Sequence, residues 1–269
     1  MNYFTTKQIF YINSNNRVNQ SDTHSSFSYQ LNIDPNQNFD KVVVLSAAIP
    51  KSYYLIQSVG NTFTLTEGTS TATIIIPPGN YSRNGLALVL KSVLNASSPN
   101  GYVYTITFSN ISSTVDTGKY LFGVSGNGST QPSFTFGITI AEQLGFEENN
   151  TYNFSSNSLT SVYVCNLVNE NTLFIHSNIC QNTEGNSILQ EIYASGEPSY
   201  TYIKFTNYTP QEYSKPMTDS RSNLFTFNLT NEDGILIDTN GININFTLMV
   251  YKRNNIFDLL KEAIKYFTM

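Results

Sequence analysis

The sequence predicts an all-β jelly-roll sandwich of eight antiparallel strands, with an inserted α+β domain between the third and fourth strands. Three observations carry this. Phe27 to Ile33 and Ile242 to Val250 place apolar residues at every second position, the period of a strand with one dry face. Lys41 to Tyr54, KVVVLSAAIPKSYY, is apolar from Val42 to Ile49 except for Ser46. Such a run reads as a strand buried on both faces, or on one face near the middle of a sheet. The alternation then lapses after Asn61 and resumes only at Leu173, with a helical stripe in between.

In order, Gln8 to Asn13 (QIFYIN) is a short aromatic strand, followed by a polar loop from Ser14 to Ser25 whose charges are Arg17 and Asp22. Phe27, Tyr29, Leu31 and Ile33 form the second strand, and Asp34-Pro35-Asn36 turns the chain. The central run is the third. Pro50 is expected to stop it, because proline has no N–H to give a ladder. Tyr53 and Tyr54 are expected to carry two rings away from the strand end.

In the middle region Thr62 to Thr66 and Thr71 to Ile76, split by Glu67-Gly68, read as a hairpin closed by Pro77-Pro78-Gly79-Asn80. Ser82 or Asn84 can cap a helix. Leu86, Val89, Leu90, Val93 and Leu94 give it one buried stripe, ending near Asn95. Tyr102 to Phe108, Tyr120 to Val124 and Phe134 to Ile138 are strands, the last two separated by a Gly/Ser-rich tip, Ser125 to Thr130. Ala141 to Phe146 (AEQLGF) is one helical turn ending at Gly145. A sheet with one helix on its face is an α+β layer rather than another sandwich.

Five strands follow: Leu173 to Asn178, Ile188 to Ala194, Tyr200 to Phe205, Leu224 to Leu229 and Ile242 to Tyr251. The domain bounds expected from this are 1–58 and 160–269 for the sandwich and 59–159 for the insert. Asn207 to Ser222, with Pro210 and Pro216, is a loop long enough to suggest a function. Ile256, Leu260, Ala263, Ile264 and Phe267 share one face of a C-terminal amphipathic helix. That helix either packs on its own sandwich or docks on a neighbouring subunit.

Charged residues make up 12% of the 269 and aromatic residues 13%, with no Trp and a net charge of −5. A pI near 5.0 without a basic patch argues against a nucleic-acid partner. The first residues show no basic stretch followed by an apolar one, so no secretory signal is expected. No apolar run is long enough for a membrane span. Cys165 and Cys180 lack metal-site spacing and read as free thiols.

Candidate chemistry is sparse. His24 lies in a polar loop and His176 in an expected strand. Asp233 and Asp238 beside Gly234 read as a turn, with no third carboxylate at calcium-loop spacing. Nucleophile-elbow, phosphate-loop and zinc-helix motifs are missing. No catalytic residue, metal ligand or cofactor is nominated, and the expectation is a protein that is not an enzyme.

Several segments do carry a resemblance. FSYQL at Phe27 to Leu31, VVVLSAAIPKSYY at Val42 to Tyr54, IPPGNYS at Ile76 to Ser82, AEQLGF and the closing GININFTLMVYK lie in one order across most of the chain. Together they resemble the penton, or minor capsid, proteins of virophages, polinton-like viruses and related large DNA viruses, which are of single jelly-roll type. Within that resemblance Pro50, Pro77, Gly79, Asn80, Tyr81, Leu144, Gly145 and Phe146 are structural motif positions. It implies a homopentamer at the capsid vertex of a virion, surrounded by double jelly-roll major capsid protein and assembled in an infected host cell. It implies for the insert an outward position, whose polar tip could bind a host receptor, a glycan or a fibre, or merely stiffen the vertex. The competing expectations are a host-attachment or carbohydrate-binding β-sandwich outside a shell, and a hydrolase with two converging carboxylates.

Overall fold

The computed structural model describes residues 4–112, 115–137, 140–168, 170–180, 187–218 and 222–253. It begins with β1 (Phe4–Asn13), β2 (Ser26–Gln30) and β3 (Lys41–Pro50). A middle group follows: β4 (Thr62–Glu67), β5 (Ser70–Ile75), α1 (Arg83–Ser97), β6 (Val103–Ser112), β7 (Val115–Ser125), β8 (Ser133–Phe136), α2 (Ile140–Leu144), β9 (Thr151–Asn153) and β10 (Ser158–Thr160). The described chain closes with β11 (Thr172–Ser177), β12 (Ile188–Tyr193), β13 (Tyr202–Thr206), β14 (Lys215–Pro216), β15 (Leu224–Thr230) and β16 (Asn245–Arg253).

These elements fall into two units. One joins the chain up to Tyr53 with the chain from Glu170 onward, and the other is Tyr54–Asn169. The divisions differ from the expected 58/59 and 159/160 because side chains beyond those points pack on the second core. Ile56 is buried there, and Leu55, Cys165 and Leu167 lie against it.

In the first unit one sheet runs in the order β1-β16-β3-β13, with β14 also on β3, and a second runs β12-β11-β15-β2. Every pairing is antiparallel. One core takes side chains from both sheets, among them Ile12, Val42, Val44 and Phe246 from one and Phe27, Ile175, Phe227 and Leu229 from the other. Val42, Val43 and Val44 are all 0% exposed, so β3 is buried on both faces. Val42 and Val44 enter the core, while Val43 joins Met249 and Tyr251 in a small cluster of its own.

Several expectations are corrected here. Pro50 does not stop the pairing: it is the last residue of β3 and sits opposite Tyr202. The ladder continues one residue further, since Lys51 N donates to Thr201 O and Tyr200 N to Lys51 O. A proline is tolerated where the strand ends, because there its missing N–H removes little from the ladder. Tyr53 does not carry its ring away but turns it into the core at 0% exposure. The last strand starts at Asn245 rather than Ile242. Thr239 Oγ1 donates to Ile242 O and Ile242 N to Thr239 O, which folds that stretch into a turn and leaves Ile242 exposed. The long loop after β13 is partly stitched down, with Lys215 opposite Val42 and Met217 N donating to Asp40 O. The expected helix from Ile256 to Phe267 lies outside the described residues.

The second unit is more than one sheet and a helix. It holds two antiparallel sheets, β5-β4-β8-β9 and β10-β7-β6, and both contribute to one core with α1. Phe63 and Phe134 come from the first sheet, Tyr104 and Phe122 from the second, and Leu86, Leu90 and Leu94 from the helix. The strands expected at Tyr102 to Phe108 and Tyr120 to Val124 are present as β6 and β7, but they pair with each other and with β10 in a sheet of their own; β10 is only three residues long, too short for alternation to mark it. Helix α1 follows its stripe, with Leu86, Leu90 and Leu94 fully buried. Its cap is Ser82, whose Oγ accepts from Gly85 N at 3.1 Å.

Candidate functional site

The motif residues assemble two pieces of local architecture, both in the second unit. Around IPPGNYS, Ile56 and Gly79 exchange backbone hydrogen bonds in both directions. Asn80 Oδ1 accepts from Leu55 N at 2.7 Å, and Tyr81 OH donates to Pro77 O at 2.6 Å. These bonds hold the chain between β5 and the cap of α1, so Pro77, Gly79, Asn80 and Tyr81 act as one turn.

Around AEQLGF, Leu144 and Phe146 are buried and Gly145 has φ +78°. A Cβ on Gly145 would lie 2.3 Å from Tyr163 O, so glycine is required by contact as well as by conformation. Its own carbonyl accepts from Tyr163 N at 2.9 Å, and Phe146 N donates to Ala141 O at 2.8 Å. The Phe146 ring then stacks on Phe136, with centroids 4.7 Å apart. Pro50 stands in the first unit and joins neither piece.

The structure also assembles a polar centre that the sequence reading passed over. Glu67 is 0% exposed. Its Oε1 accepts from Ser98 Oγ at 2.7 Å and from Tyr104 OH at 2.8 Å, and its Oε2 from Asn100 N at 2.8 Å. Burial, and then the bond to Glu67, push the Tyr104 phenol well above its ordinary range. A signal was present in the sequence: Phe63, Leu65 and Glu67 share one strand face, which places a carboxylate among core residues. Ser98 and Asn100 follow the end of α1, so the carboxylate ties the helix exit to β4. Three donors on one carboxylate make a structural clamp.

Other titratable groups are dispersed. His24 Nδ1 lies 2.7 Å from Asn243 Oδ1. His176 Nε2 lies 3.0 Å from Thr230 Oγ1, and burial pulls its pKa below 6.5. The Lys51 ammonium is buried and donates to Ala194 O at 2.9 Å, and burial pulls its pKa down. Asp233 and Asp238 sit in turns as expected: Asn231 Oδ1 accepts from Asp233 N, and Asp238 Oδ1 from Asn240 N. Cys165 and Cys180 are free thiols in different units, and burial raises the pKa of Cys180 to about 11. Among the described residues no group of His, Cys, Asp and Glu could hold a metal ion.

With that geometry in place, comparison with known proteins shows no family. No family model matches, and no curated protein matches. The chain is similar to a mavirus penton protein, at 10% identity and TM-score 0.45, over 91% of this chain and 99% of that one. It is also similar to the D2-D3 domains of the flagellar cap protein FliD from Escherichia coli, at 10% identity and TM-score 0.24, over 84% of this chain and 100% of that one.

What remains distinctive is the surface. In the first unit Tyr11, Tyr193, Tyr200, Tyr208 and Tyr213 are all more than half exposed. An exposed tyrosine offers contact area at low entropic cost and a hydroxyl that needs no desolvated charge. One ion pair occurs among the described residues, Arg83 with Asp116, and the same guanidinium lies 3.9 Å over the Phe108 ring. No described helix is long and apolar enough to cross a membrane.

Proposed function

We propose that this chain is a structural capsid protein, the penton subunit of a virion, and not an enzyme. The observation that carries this reading is the strand order of the first unit. Lettered along the chain from B to I, its eight longer strands stand in the orders B-I-D-G and F-E-H-C, which supports reading this unit as a jelly roll. The second unit then enters between D and E. A jelly roll leaves its strand edges at the sides, where identical copies can pack around a rotation axis in a heterologous contact that closes into a ring. The exposed tyrosines and a charged share of 12% suit such contacts, because few charges lose water when copies meet. The resemblance of FSYQL, VVVLSAAIPKSYY, IPPGNYS, AEQLGF and GININFTLMVYK to penton sequences supports the same role.

Under this proposal five copies close each icosahedral vertex, with the sandwich in the shell beside a double jelly-roll major capsid protein and the second unit outward. The purified chain need not be a pentamer, since a charge-poor, polar contact can close only when the surrounding shell adds its own. The test is a map of purified particles. Density for this chain at the fivefold axes is expected, and a map without it there ends the penton reading. Deleting residues 254–269 separates the two roles of the terminal segment: lower vertex occupancy makes it a grip on a neighbour, and unchanged occupancy makes it a cap on its own sandwich.

A further inference from the structure

The outer face of the β1-β16-β3-β13 sheet carries an open trough of about 480 Å³. Its composition follows from register. Ile12, Ala47, Phe246 and Ile203 point into the core, so their neighbours in the strands point outward. Tyr11, Thr247, Ser46 and Thr206 stand in one row across the four strands, and Asn245, Ala48 and Lys204 stand in the next. The floor is made of small or short polar side chains: Ser46, Ala48, Asn245 and Thr247 are half-buried, and Thr206 on the edge strand is exposed. The two ends are large: Tyr11 is 79% exposed on one edge strand, and Lys204 is exposed on the other.

We propose that this trough binds an acidic oligosaccharide, one whose sugar bears a carboxylate or a sulfate. Tyr11 and Lys204 are three strand spacings apart and offset by two residues along the strands, roughly 16 Å in all, the length of about three sugar rings laid obliquely across the sheet. At the Tyr11 end the electron-rich ring face meets the C–H face of a sugar. On the floor the Ser46 and Thr247 hydroxyls and the Asn245 amide offer both donors and acceptors, which matches sugar hydroxyls. At the far end Lys204 is a single ammonium, and no carboxylate lines the trough among its described residues. One cation suits one acidic group. A nucleic acid would need several, because its affinity comes from many neutralised phosphates. The inference rests on the first unit alone and does not depend on the capsid role. The particle map tests that role and the titration below tests this one.

The experiment is an NMR titration of the full chain with sialyllactose, with sulfated lactose and with lactose as the neutral control. Saturable shifts at Ser46, Thr247 and Lys204 with a dissociation constant of about 1 mM are expected for an acidic sugar, and weaker binding for lactose. The two acidic arms decide between carboxylate and sulfate. Lys204→Ala should weaken the acidic sugar at least about fivefold and leave lactose unchanged, the loss of one charge-assisted hydrogen bond. Tyr11→Ala should weaken all three, and Ser46→Leu, which fills the floor, should abolish binding. Both Tyr11 and Lys204 are exposed, so these variants keep the fold, as a wild-type melting curve will verify. No saturable shift by about 20 mM sugar, lactose binding as tightly as the acidic sugars, or shifts that follow protein concentration alone would each overturn the proposal. The last outcome would make the face a contact between copies.

Discussion

Glu67→Gln isolates the clamp at the end of α1. In the wild type each carboxylate oxygen is matched to donors: Ser98 Oγ and Tyr104 OH at Oε1, Asn100 N at Oε2. An amide replaces one oxygen by an NH2. Turned toward Asn100, it sets two donors against each other. Turned toward Ser98 and Tyr104, it requires both hydroxyls to accept, and their own O–H groups lose the oxygen to which they donated. Either way at least one buried donor loses its acceptor, a cost of about 2 kcal/mol. Tyr104→Phe removes one of three bonds and leaves the carboxylate with two, for about 1.5 kcal/mol. Glu67→Ala strands all three donors and should cost most, about 4 kcal/mol. Urea unfolding read by amide exchange at Asn100 and along β6 measures the second unit alone. The order Ala, Gln, Phe in decreasing damage is expected. A Glu67→Gln protein as stable as the wild type would refute the reasoning, and would mean that the cost of burying the charge outweighs the bonds it makes.

Leu90→Asp puts a carboxylate at 0% exposure in the stripe of α1, and the second unit should lose several kcal/mol, about 4, in the same assay. Gly145→Ala should cost at least about 2 kcal/mol, since φ +78° disfavours a Cβ and Tyr163 O blocks its place; a wild-type melting temperature would show that the loop simply moves. His176 carries a pH effect on the first unit. Its folded pKa lies below 6.5 through burial, so the unfolded chain takes up the proton first. Stability should therefore be flat above about pH 7 and fall as pH drops through 6.5 toward the folded value. His176→Gln should remove that slope, and an unchanged slope would assign it to other groups.

Much of the fold is legible residue by residue. The run from Val42 to Ile49 announces a strand covered on both sides, and Val42, Val43 and Val44 are indeed sealed from solvent. The spacing of Leu86, Leu90 and Leu94 announces the buried side of α1. Alternation of this kind is a local property, because a side chain's distaste for water is written in its own chemistry. The same signal misleads at Ile242, where alternation continues while Thr239 has already taken the backbone into a turn.

The candidate sites were less legible, because each is made by partners distant in sequence. Glu67 meets Ser98 and Asn100 only once β4 lies beside the end of α1, and Tyr11 and Lys204 come to face one trough only when two other strands pair between theirs. Pairing itself is chosen by tertiary structure. β1 takes β16 as its neighbour, with Phe10 opposite Leu248, although most of the chain separates them. Backbone N–H and C=O groups are the same at every residue, so they cannot name a partner. The composition of the chain determined that its strands would each bury a face. Which strands met, in what register, and which small side chains were left to floor the outer trough were decided by closing two sheets over one core, where volume and hydrogen bonding must be satisfied together.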